Sequence, residues 1–96
     1  MIDLKGTPFF LADEDIAWVE NTLAGMSEDE KVGQLFCLVA FQSGEEFLRQ
    51  AILGTHAGGM MCRPMPAEEI IGMVRLLQEN SKIPLLIAAN LEKGGN

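Results

Sequence analysis

The first twelve residues show no hydrophobic period and carry Gly6 and Pro8, the composition of an arm. From Asp13 the apolar positions recur at helical spacing. Ile16, Ala17, Val19, Leu23 and Ala24 share a broad face, with Trp18 at its margin. Acidic residues at 13–15 suit the positive end of a helix dipole, and Gly25 is placed to stop the helix. Ser27-Glu28-Asp29-Glu30 fits a capping box and predicts a short helix ending near Gly33. Residues 35–41 are apolar at every position, which predicts a strand buried on both faces, as in a parallel sheet. Ser43-Gly44-Glu45-Glu46 repeats the capping-box spacing. The helix it opens is expected to reach about Leu53, with Phe47, Leu48, Ala51 and Ile52 inward and Gly54 ending it. Residues 58–62 read as a second buried strand, bounded by Pro64. Pro66, at a first helical position, opens a helix whose stripe is Ile70, Met73, Val74 and Leu77 and which fades near Asn80. Ile83-Pro84 imposes an extended entry. Residues 85–89 read as a third buried strand, and 90–96 as a Gly-rich loop.

The strands begin about 23 to 27 residues apart with a helix between each pair, the spacing of parallel βαβ units. The predicted class is α/β, a parallel βαβαβ segment. The whole of 1–96 forms one partial domain: an arm at 1–12, then helices and three strands at 13–96. No helix follows the third strand, and three strands leave two open edges. The expectation is that the sequence continues elsewhere.

Charge narrows the function. Seven Lys and Arg against fourteen Asp and Glu give a formal net charge of −7, which speaks against nucleic acid and against an anionic membrane surface. Hydrophobic residues at 48% with 22% charged indicate a globular chain. The longest apolar run, 35–41, is too short to span a bilayer, and the start lacks the long apolar segment of a signal peptide. Two cysteines make no disulfide framework. Cys37 and Cys62 are expected as buried, reduced thiols in a cytoplasmic protein. No Cys/His cluster suggests a metal. Residues 94–95 lack the spacing of a phosphate-binding loop.

Two segments go beyond pattern: Met26-Ser27-Glu28-Asp29-Glu30-Lys31-Val32-Gly33-Gln34-Leu35-Phe36, and Ile83-Pro84-Leu85-Leu86-Ile87-Ala88-Ala89-Asn90-Leu91-Glu92 followed by Lys93-Gly94-Gly95. In this order, with Ala57-Gly58-Gly59-Met60-Met61 between them, they resemble the start of glycoside hydrolase family 3, most closely its bacterial β-N-acetylhexosaminidase branch. The resemblance runs from about Asp15 to Gly95 and covers roughly the first third of the family's catalytic domain. It implies the opening portion of a (β/α)₈ barrel, a fold of about 250 residues. It further implies retaining hydrolysis of a terminal β-linked N-acetylhexosamine or glucose. An Asp nucleophile and a His acid/base oriented by an Asp would carry the chemistry. Both groups lie downstream of the matched region, so this chain holds no catalytic residue and is expected to be inactive alone. The resemblance implies no cofactor and no metal. The partners it implies are a carbohydrate substrate and the remainder of the barrel.

At the end of the third strand the family usually shows Asp-x-Glu-Gly-Gly, whose Asp accepts a hydrogen bond from a sugar hydroxyl. Asn90 stands there in this chain, and Lys93 is inserted before Gly94-Gly95. An Asn keeps the carbonyl acceptor and adds donors, but loses the charge. Asn90 is therefore either a substrate-binding residue or a polar cap on a strand end. Arg63 follows the second strand at what would be the active-site end of a barrel. It is a second candidate for substrate contact. Glu92, Gly94 and Gly95 are expected to support the site, with Glu92 pairing to Arg63. His56 precedes the second strand, at the opposite end, and reads as a loop histidine. The Met residues at 60, 61, 65 and 73 read as packing. A reading of another class remains beside this one: a small stand-alone α/β protein that binds a sugar or a partner without catalysis, its sheet edges covered by self-association.

Overall fold

The computed structural model describes residues 2–40 and 44–94. The order of elements is α1 (Asp13–Ala24), α2 (Glu28–Gly33), β1 (Cys37–Ala40), α3 (Glu45–Thr55), β2 (Gly59–Cys62), α4 (Ala67–Glu79) and β3 (Leu86–Ala89). The strands form one parallel sheet, ordered β1-β2-β3. The register aligns Cys37, Gly59 and Leu86 at one end and Ala40, Cys62 and Ala89 at the other.

Local chemistry explains most boundaries. At α2 the Glu30 amide donates to Ser27 Oγ (3.2 Å) and the Ser27 amide donates to Glu30 Oε2 (2.7 Å), closing the capping box. Acidic residues fill the first turn of α1, which has no side-chain cap. Two boundaries differ from expectation. Helix α3 runs through Gly54 and ends at His56, whose left-handed backbone (φ 55°) takes the capping position. His is among the non-glycine residues enriched there. Its N-cap is Gly44, without a side-chain bond, and Ser43 of the expected capping box lies outside the described residues. Pro66 is the N-cap of α4 and not its first helical residue.

The core lies between the sheet and the α3–α4 pair. It joins Ala40, Met60, Cys62 and Leu85 to Leu48, Ile52, Met73 and Leu77. The α4 stripe is as expected, with Met73 and Leu77 buried and Ile70 and Val74 packed beside them. Side chains alternate across a sheet, so this one-sided cover leaves the other face open. Three expectations of burial fail, and in β3 the exposure reaches even Ile87 and Ala89, which the register sets on the helix side beside Met60 and Cys62. The first strand begins at Cys37 and not at Leu35, and only Ala40 in it is buried; Leu35 is 84% exposed, and Phe41 of the expected strand lies outside the described residues. All four residues of β3 are exposed, Leu86 at 79%, although Leu85 just before it is buried. Cys37 is exposed, while Cys62 is buried on the helix side. Continuous apolar runs reported strands meant for cover on both faces; among the described residues only one face has it.

Backbone contact between elements is closest at Gly33 and Gly58. A Cβ on Gly33 would collide with the carbonyl oxygens of Thr55 and His56, and one on Gly58 with that of Gln34. The Gly58 amide donates to the Gly33 and Phe36 carbonyls (3.2 and 3.1 Å). This contact fixes the start of β1 against the start of β2.

Candidate functional site

The strand register places the candidates. Ala40, Cys62 and Ala89 are partners across the sheet, so the residues after them stand at one height. Arg63 and Asn90 therefore occupy the tips of neighbouring strands, with backbones about 4.8 Å apart. The Arg63 amide donates to the Ala40 carbonyl (3.4 Å), carrying the β1–β2 ladder one residue past the strand. Alternation from Gly59 and Met61 puts Arg63 on the face opposite the helices. Alternation from Leu86 and Ala88 puts Asn90 on that same face. Both residues are exposed. A cation carrying five donors and a carboxamide carrying both donors and an acceptor thus share one open, helix-free corner. Such a pair can bind several hydroxyls of a polar ligand at once. It holds no group poised as nucleophile or base.

The supporting residues fall differently. Glu92 sits within the turn at 91–94, which the Gly94 amide closes by donating to the Leu91 carbonyl (2.9 Å). Gly94 has φ 89°, a conformation that side chains disfavour. Gly95 lies outside the described residues. Ion pairs join Lys5 to Asp13, Arg49 to Glu45 and Lys82 to Glu30, and the expected Arg63–Glu92 pair is not among these.

The opposite end of the strands carries its own features. A cleft of about 230 Å³ opens there, with Gln34, His56, Ala57, Lys82 and Ile83 in its wall. Glu30 accepts from Lys82 Nζ (2.9 Å), Gln34 Nε2 donates to the His56 carbonyl (3.0 Å), and Ser81 Oγ donates to the Leu77 carbonyl (2.6 Å). These groups spend their hydrogen bonds on the fold. The Lys82 ammonium, the Ser27 backbone amide and the Lys82 charge hold the Glu30 carboxyl at about 2, well below the ordinary carboxylate value. Sequence reading found Glu30 only as a cap, because a partner 52 residues away leaves no local signal. His56 stands at this end, exposed, as expected for a loop histidine. Burial pushes the Cys62 thiol up, so it is no reactive thiolate. Among the described residues no group of three or more His, Cys, Asp or Glu could hold a metal ion, and no helix is long and apolar enough to cross a membrane.

Fold and corner together define a class: a parallel α/β segment that presents polar residues at the C-terminal strand ends, where sheets of this kind carry their sites. Comparison with known proteins makes this particular. The chain is 51% identical over all 96 residues to a Cellulomonas fimi protein named "Beta-N-acetylglucosaminidase/beta-glucosidase". It also superposes on a solved chain named "Beta-glucoside phosphorylase BglX bound to 2FGlc", with a TM-score of 0.86 and 40% identity over 97% of its length. No family model matches the chain. The chain spans 17% of the length of each of these two relatives. The resemblance carried by the two motif segments thus extends over the whole chain, which is similar to one part of each of these longer proteins.

Proposed function

We propose that this chain supplies the opening strands of the catalytic barrel of a retaining glycoside hydrolase that releases terminal β-linked N-acetylhexosamine or glucose. The observation that carries the reading is the 51% identity, over every residue, to a protein named for both activities. Within the barrel, Asn90 and Arg63 bind sugar hydroxyls from adjacent strand tips, and the 91–94 turn with Glu92 and Gly94 supports them. The attacking carboxylate and the acid/base stand on other parts of the barrel. The Asn90 carbonyl and carboxamide N–H orient the ring for attack at the anomeric carbon. The branch acting on N-acetylhexosamine is favoured by the motif segments. A cytoplasmic location and a tendency of the isolated chain to self-associate belong to the same proposal.

A second reading has one observation in its favour. The solved relative is named a phosphorylase, so inorganic phosphate, and not water, could take the sugar from the enzyme. Both readings use Asn90 and Arg63 alike, and product analysis with and without phosphate separates them. The test of the site uses the longer polypeptide that contains this chain. Asn90→Ala should raise KM about tenfold, the effect of losing one or two net hydrogen bonds to the sugar. Asn90→Asp, which keeps the acceptor, should lose far less. An Asn90→Ala enzyme with unchanged KM and kcat would remove Asn90 from the site.

A further inference from the structure

The register of β3 decides whether Asn90 stands beside Arg63, and little packing holds it. All four residues of β3 are exposed. Pro84, just before the buried Leu85, has no N–H to give a ladder. The first ladder bond is donated by the Leu86 amide to the Gly58 carbonyl (3.0 Å). One residue earlier the strand is held differently. The Leu85 amide donates to Gln78 Oε1 (2.9 Å), and Gln78 Nε2 donates to the Leu85 carbonyl (3.0 Å). The Gln78 carboxamide, reaching from α4, thus meets both backbone groups of Leu85 as a neighbouring strand would. Both bonds are partly buried, where their loss costs more than at the surface.

We propose that Gln78 is a positioning residue for the strand-tip corner: its clamp on Leu85 sets the register of β3 and so the height and face of Asn90. A slip by one residue would turn every β3 side chain over. Asn90 would pass to the helix side and leave Arg63 alone at the corner. The register claim stands on the hydrogen bonds; only its consequence for a sugar rests on the proposed function.

The test is hydrogen exchange and selectively labelled NMR on the longer polypeptide that contains this chain, and on its Gln78→Leu and Gln78→Glu variants. Gln78→Leu loses both bonds, and Gln78→Glu keeps the acceptor for the Leu85 amide. Gln78→Leu should speed amide exchange at Leu86 and Ala88, the β3 amides that face β2, about tenfold over wild type while β2 amides bonded to β1 keep their rates. It should also move the Asn90 carboxamide resonances, which loss of global stability alone leaves in place. Gln78→Glu should fall between the two. Uniform acceleration across the sheet, unmoved Asn90 resonances, or a wild-type β3 without protection would each overturn the proposal. A parallel titration with N-acetylglucosamine addresses the sugar separately. Failure to bind with an intact register effect sinks the corner reading and leaves Gln78 in place.

Discussion

Gly33 and Gly58 show how much of the fold hangs on single atoms. Two backbones meet there, and a backbone carbonyl cannot swing aside as a side chain can. Gly33→Ala should lower stability by about 1–3 kcal/mol, the usual cost of forced overpacking, read by chemical denaturation. Gly72 is the control. It lies inside α4 with open space where a Cβ would go, so Gly72→Ala should raise stability by about 0.5–1 kcal/mol. Equal effects of the two would contradict the close contact. The thiols give a second residue-level expectation. Iodoacetamide at mildly alkaline pH should modify exposed Cys37 first, and reach Cys62 only after unfolding, followed by peptide mass. The sequence showed Gly33 as a helix end and Gly58 as the head of a strand, with no sign of backbone contact. It also suggested burial for both thiols. Burial of Cys37 depended on which face the helices would cover, and no pattern within 35–41 could report that.

Elements were legible wherever the signal was local. The Ser27–Glu30 capping box and the α4 stripe rest on residues within a few positions of each other, and the strand spacing on the order of such local signals along the chain; the structure keeps all three. Ties between distant elements were not visible. Lys82 joins the segment entering β3 to the cap of α2 through Glu30, and its pH dependence follows directly. The Glu30 carboxyl sits near 2 in the folded chain, against an ordinary value of 4.5. A depressed carboxylate contributes stability that is present in full above its unfolded value and is lost as pH falls through the folded one. The gap in melting temperature between wild type and Glu30→Gln should be constant above about pH 5 and close progressively toward pH 2. A gap that widens on acidification would contradict the assignment. The end of α3 teaches the same lesson in reverse. Gly54 offered the expected stop, yet the helix passes through it, because His56 adopts the left-handed turn two residues later.

At the scale of the whole molecule, the open face of the sheet is the dominant fact. Leu35, Phe36 and Leu86 present large apolar surface to water, as does helix α1, in which no residue is buried. Surfaces of that kind mark contacts with other protein. The isolated 96-residue chain is accordingly expected to melt broadly or to associate, seen as concentration-dependent mass by light scattering. A sharp melt from a clean monomer would contradict this. The same chain should release no chromophore from a chromogenic N-acetyl-β-glucosaminide, since the proposed function gives Asn90 and Arg63 a binding role and sets the attacking groups elsewhere in the barrel. Fold class and strand-tip position were readable because a parallel sheet constrains both through spacing alone. The place of Glu92 was not, because a turn residue three positions past a strand has no register to fix it. The central proposal is that this chain is one part of a larger sugar-processing barrel. The most direct measurement is the intact mass of the polypeptide carrying this sequence, as its native source produces it. The account predicts several times 10.5 kDa. A mass near 10.5 kDa would contradict it and make a small non-catalytic binding or assembly protein the better reading.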